Sequence, residues 1–146
     1  MRLGSELGCI MTDWNRVTLK PHNSHSIIVV EDHDDTRSYL ALFLRRQLSA
    51  TVIEASNARE CLGQIKTRRP TLVLSDILMP GCDGFEMLRE IRALEKNGDP
   101  RIPFIAMTAL GSEADRKRIF DAGFRAYLHK PFTPDQLIET IGSVLD

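Results

Sequence analysis

A chain of 146 residues, 42% of them hydrophobic, suits one domain with a single core. Its formal net charge of −1 gives no general attraction to nucleic acid or to an anionic membrane, and no stretch approaches the roughly 20 apolar residues of a membrane span. The first residues lack the pattern of a signal peptide, and the three cysteines, Cys9, Cys61 and Cys82, are odd in number and widely spaced, so they read as reduced thiols of a cytoplasmic protein rather than a zinc site.

Residues 1–24 show no clear periodicity, and Pro21-His22-Asn23-Ser24 reads as a linker, so they form an N-terminal extension and the domain proper runs from about 25 to 146. A first apolar run, Ser26 to Val30, predicts a strand. The next segment places Tyr39, Leu40, Phe43, Leu44 and Leu48 on one helical stripe, with Arg37, Arg45 and Arg46 off it and Asp34 or Asp35 as its N-cap. A second strand is expected at Thr51-Val52-Ile53, then a helix from about Ala58 to Arg68, halted before Pro70. A third strand begins at Thr71 to Leu74, followed by a helix from about Phe85 to Glu95. Ile102 to Met107 predicts the fourth strand. The helix after it is capped by Ser112 and stopped at Gly123, where glycine tolerates the left-handed conformation. Ala126-Tyr127-Leu128 and a helix from near Pro134 carrying Leu137, Ile138, Ile141, Val144 and Leu145 complete the chain. Strands that are apolar on consecutive residues are covered on both faces, which predicts a doubly wound (βα)5 parallel sheet.

Ligands of open α/β sheets bind beyond the carboxyl ends of the strands, where strand order reverses. Strand one ends in Glu31-Asp32, strand three in Asp76, strand four in Thr108 and strand five in Lys130, whereas strand two ends in the uncharged Ala55-Ser56-Asn57. With strand order 2-1-3-4-5, the three carboxylates converge on one crevice and the bland strand lies at an edge. Clustered carboxylates repel one another, and a hard divalent cation such as Mg²⁺ relieves that repulsion. A lysine and a threonine hydroxyl beside them suit phosphoryl oxygens. The set describes a carboxylate that accepts a phosphoryl group.

Four blocks carry a family resemblance: Val29-Val30-Glu31-Asp32, the run from Asp76 through Pro80 to Gly84, Met107-Thr108-Ala109, and Lys130-Pro131-Phe132. In this order, each closing a predicted strand, they resemble the response-regulator receiver domain of two-component signalling, over about residues 25–146. The resemblance implies a flavodoxin-like fold and a phosphorelay switch rather than an enzyme. It implies Asp76 as phosphoacceptor, Mg²⁺ held by Asp32 directly, by Glu31 through water, by Asp76 and by the Leu78 backbone carbonyl, and Thr108 and Lys130 on the phosphoryl group. Tyr127 takes the place of an aromatic that moves inward on activation, and Lys130-Pro131 stands where the family often has a cis peptide. Leu78 and Leu110 occupy the positions that govern phosphate lifetime. The implied partners are a histidine kinase or phosphotransfer protein and a downstream protein that meets helix four, strand five and helix five.

Rivals on the same fold are weaker. A nucleotide- or flavin-binding enzyme would carry a Gly-x-Gly-x-x-Gly or Gly-Lys-Ser/Thr phosphate loop, and neither is present. A pseudo-receiver would lack site residues, yet all five positions are filled. The resemblance leaves open a stand-alone regulator, a receiver of a hybrid kinase or one of a larger regulator. Arg125 and Ala126 stand where the winged-helix transcription-factor branch carries an acidic pair for dimer salt bridges, so the symmetric dimer of that branch is not expected. Cys82 is read as a packing residue, and His33 and His129 receive no role.

Overall fold

The computed structural model describes residues 25–145; the expected extension over 1–24, with Cys9, lies outside the described residues. Five strands, β1 (Ser26–Val30), β2 (Thr51–Ala55), β3 (Leu72–Asp76), β4 (Phe104–Thr108) and β5 (Ala126–His129), alternate with five helices. These are α1 (Asp34–Leu48), α2 (Ala58–Thr67), α3 (Gly84–Leu94), α4 (Glu113–Ala122) and α5 (Pro134–Leu145). All strand pairs are parallel, in the order β2-β1-β3-β4-β5, as the sequence predicts. None of the described helices is long and apolar enough to cross a membrane.

Successive strand residues face opposite sides of a sheet, so the expected single core divides into two. Ile28, Val30, Val73, Phe104 and Ala106 pack with Cys61 of α2, Phe85, Leu88 and Ile91 of α3, and Ile119 of α4. On the other side, Ile27, Val29, Leu72, Leu74, Ile105 and Met107 pack with Leu40 and Leu44 of α1 and with Leu137 and Ile141 of α5.

Local differences from the sequence reading have physical causes. The N-cap of α1 is His33, not Asp34 or Asp35: its Nδ1 accepts from the Thr36 N–H, and both acids sit in the first turn, where they favour the helix dipole. The buried stripe of α1 centres on Leu40, Ala41 and Leu44, which leaves Tyr39 60% exposed, stacked on Phe43. Strand β4 begins at Phe104 and not at Ile102, because the Ile102 N–H is taken by Glu95 and Pro103 has no N–H to offer. Ser112 caps α4 and Gly123 closes it at φ 113°, both as expected, and Asp115 adds the reciprocal half of a capping box.

Candidate functional site

The site is built at the carboxyl edge of the sheet. Val30 pairs with Ser75, so the residues that follow β1 stand beside Asp76, the last residue of β3. Glu31 and Asp76 are 2% and 6% exposed, while Asp32 faces solvent. One carboxylate oxygen from each of the three lies within 4.8 Å of the others.

Lys130 answers that negative charge. Its ammonium donates to Asp76 Oδ2 at 3.0 Å and to Glu31 Oε1 at 3.1 Å. Its own N–H donates to the Thr108 carbonyl at 2.8 Å, which fixes the chain after β5 against the end of β4. The Lys130–Pro131 peptide is cis. Burial alone pushes the lysine's pKa down, but the bonds to Asp76 and Glu31 outweigh it, and the net shift is upward. Glu31 is also shifted up, first by burial and further by Asp76, against the opposing pull of Lys130 and the His33 N–H.

The second oxygen of Asp76 and of Glu31 is held by the backbone. Asp76 Oδ1 accepts from the Leu78 N–H at 3.2 Å, and Glu31 Oε2 from the His33 N–H at 3.2 Å. Leu78 is 53% exposed and, with Asp32, Met79, Pro80, Gly81, Asp83 and Glu86, lines an open cleft beside the acids. The donor set, carboxylate oxygens next to a solvent-open cleft, fits a hard divalent cation that keeps part of its water shell.

Thr108 is fully buried, and its Oγ1 accepts from the Leu110 N–H at 3.1 Å. The half-buried Tyr127 donates its hydroxyl to the Leu110 carbonyl at 2.7 Å. The aromatic therefore already faces the β4–α4 loop, and Leu110 joins Thr108 to Tyr127 through the two ends of one residue.

The candidate residues Glu31, Asp32, Asp76, Leu78, Thr108, Leu110 and Lys130 fall at this edge or on the loops that leave it, and Tyr127, inside β5, reaches the β4–α4 loop through its hydroxyl. Two further residues, to which the sequence reading gives no role of their own, shape this edge. Arg37, placed off the helical stripe, turns inward onto Glu31. Gly84 closes a tight contact: its N–H donates to the Ile77 carbonyl at 2.8 Å, and a Cβ there would lie 2.9 Å from both the Asp76 backbone carbonyl oxygen and Ile77 Cα. The signal for that turn was present in Asp83-x-x-Glu86, a capping box at the start of α3. Cys82 is half-buried beside Asp83, Glu86 and Glu90; burial and these acids push its thiol pKa up, which fits a packing role.

A doubly wound sheet that gathers three acids, a threonine and a lysine at one edge defines the class: an α/β domain with a charged ligand crevice at the carboxyl ends of its strands. The chain matches the family model of the response regulator receiver domain over residues 27–142 and belongs to that family, part of two-component signalling. A 14.6 kDa protein of Leptolyngbya boryana is 40% identical over 115 residues, covering 79% of this chain and 86% of that one. The transcriptional regulatory protein ResD of Bacillus subtilis is 37% identical over 123 residues, 84% of this chain but 49% of the relative, so the chain spans about half of such longer regulators. The receiver domain of sensor histidine kinase PA1611 from Pseudomonas aeruginosa superposes with a TM-score of 0.72 at 30% identity. The match covers 83% of this chain and 97% of that one, and that structure carries a magnesium ion in its active-site cleft.

Proposed function

We propose that Asp76 accepts a phosphoryl group from a phosphohistidine of a histidine kinase or phosphotransfer protein. The ammonium of Lys130, 3.0 Å from the Asp76 carboxylate and shared with Glu31, carries this reading. Glu31, Asp32, Asp76 and the Leu78 carbonyl would hold Mg²⁺, which when bound supplies charge against the acids and the phosphoryl oxygens. An Asp76 oxygen attacks phosphorus; the P–O bond forms as the P–N bond breaks, and the electron pair stays on the donor's ring nitrogen. Lys130 and the Thr108 hydroxyl then hold phosphoryl oxygens.

A shift of Thr108 toward the phosphoryl group pulls on the Leu110 N–H, while Tyr127 holds the Leu110 carbonyl. The added charge thereby biases the surface formed by α4, β5 and α5, where a downstream protein would bind. Acetyl phosphate with Mg²⁺, followed by intact mass, tests the acceptor. Wild type should gain one phosphoryl group only with Mg²⁺ present, and Asp76→Asn none; equal adducts on both would overturn the assignment.

A further inference from the structure

Asp32 faces solvent, and among the described residues its carboxylate accepts no hydrogen bond, so its place beside Glu31 and Asp76 is set by the backbone that carries it. The peptide joining Glu31 to Asp32 is one rigid plane. Whatever fixes the Glu31 carbonyl fixes the direction in which Asp32 leaves. The Glu31 N–H is tied to the Ala55 carbonyl at 3.1 Å, and its carbonyl accepts from Arg37 Nη1 at 2.9 Å.

Arg37 is itself locked from two more directions. Its Nη2 reaches Asp34 at 2.7 Å and its Nε lies 3.4 Å from Glu54 of β2, with the side chain only 15% exposed. Glu54 is held in turn by Arg45 at 3.8 Å, and Arg45 donates to the Val52 carbonyl at 2.8 Å without touching Glu31. A planar guanidinium with several fixed donors can serve a carbonyl and two carboxylates at once; an ammonium cannot reproduce that fork.

We propose that Arg37 is a positioning residue for the metal-binding acids: by clamping the Glu31 carbonyl to α1 and β2, it aims Asp32 into the crevice. The inference rests on the magnesium reading above. Partners that orient metal ligands without touching the metal are worth about tenfold or more in affinity. Titration of the full chain with Mg²⁺ alone, alongside thermal unfolding, tests it in Arg37→Met, Arg37→Lys and Arg45→Met. Arg37→Met should weaken Mg²⁺ binding about tenfold and Arg37→Lys should recover only part of the loss. Arg45→Met, which shares Glu54 but not the Glu31 carbonyl, should lower the melting temperature while leaving Mg²⁺ affinity within about twofold of wild type. Unchanged Mg²⁺ affinity in both Arg37 variants, or equal loss of affinity in Arg45→Met, overturns the proposal and leaves the magnesium reading standing. A wild-type chain that binds no Mg²⁺ overturns both.

Discussion

Gly84 is where fold and site constrain each other most directly, and Gly84→Ala measures that constraint. The new methyl would lie 2.9 Å from the Asp76 oxygen and from Ile77 Cα, roughly 0.6 Å inside an optimal contact of about 3.5 Å. Both obstacles are backbone, so neither can rotate away, and the start of α3 must move off the end of β3. Overpacking of this kind costs about 1–3 kcal/mol. Replacing a helical glycine by alanine returns roughly 0.5–1 kcal/mol. The expected net loss is about 0.5–2 kcal/mol, or roughly 2–8 °C in melting temperature for a domain of this size. The same substitution at Gly63, inside α2 with nothing within 4 Å, meets no obstacle and should raise stability by about 0.5–1 kcal/mol. Thermal unfolding followed by circular dichroism compares the two. Because the displaced backbone is that of the proposed phosphoacceptor, Gly84→Ala should also slow adduct formation with acetyl phosphate. A Gly84→Ala protein as stable as wild type, or shifted in the same direction as Gly63→Ala, would refute the reasoning.

The exposed Leu78 and half-buried Leu110 offer no side-chain hydrogen bond to orient a water toward phosphorus, so phosphoryl-Asp76 should be long-lived. Leu78→Asn combined with Leu110→Glu should hydrolyse faster after donor removal, and equal rates would sink the idea. Burial pushes the Cys61 thiol up to about 12, so at pH 8 only about one molecule in ten thousand carries the reactive thiolate there. Peptide mapping after iodoacetamide treatment of the native protein should find Cys82 alkylated well before Cys61; comparable rates would mean that Cys61 is open to solvent.

The strands were legible because a sheet covered on both faces leaves a mark that needs no partner to read: consecutive apolar residues in Ser26–Val30 and again from Leu72. The acids and the lysine were legible for a related reason, since a parallel sheet puts every strand's last residue at one edge, and the order 2-1-3-4-5 selects which of them meet. What stayed hidden depends on distance rather than pattern. Arg37 looks like a surface residue on a helical projection, because its value comes from reaching back to the carbonyl of a residue six positions earlier. His33 is hidden as a cap because two acids, the more usual caps, follow it and its imidazole accepts in only one tautomer, a state that sequence does not declare. Hydrophobicity places Tyr39 on the buried stripe, but the face that α1 buries runs through Leu40, Ala41 and Leu44 and leaves the tyrosine outside it.

The division of the interior by the sheet has a consequence for how the domain can change. Leu72 and Leu74 of β3 pack toward α1 and α5, while Val73 and Ile77 pack toward α2, α3 and α4. A side chain that grows or shrinks on one side is absorbed by the helices of that side, with the hydrogen-bonded strands standing between. The two packing compartments can therefore drift in sequence nearly independently. Asp76 stands between Leu74 of one compartment and Ile77 of the other, so it is the place where a change on either side is felt at the site.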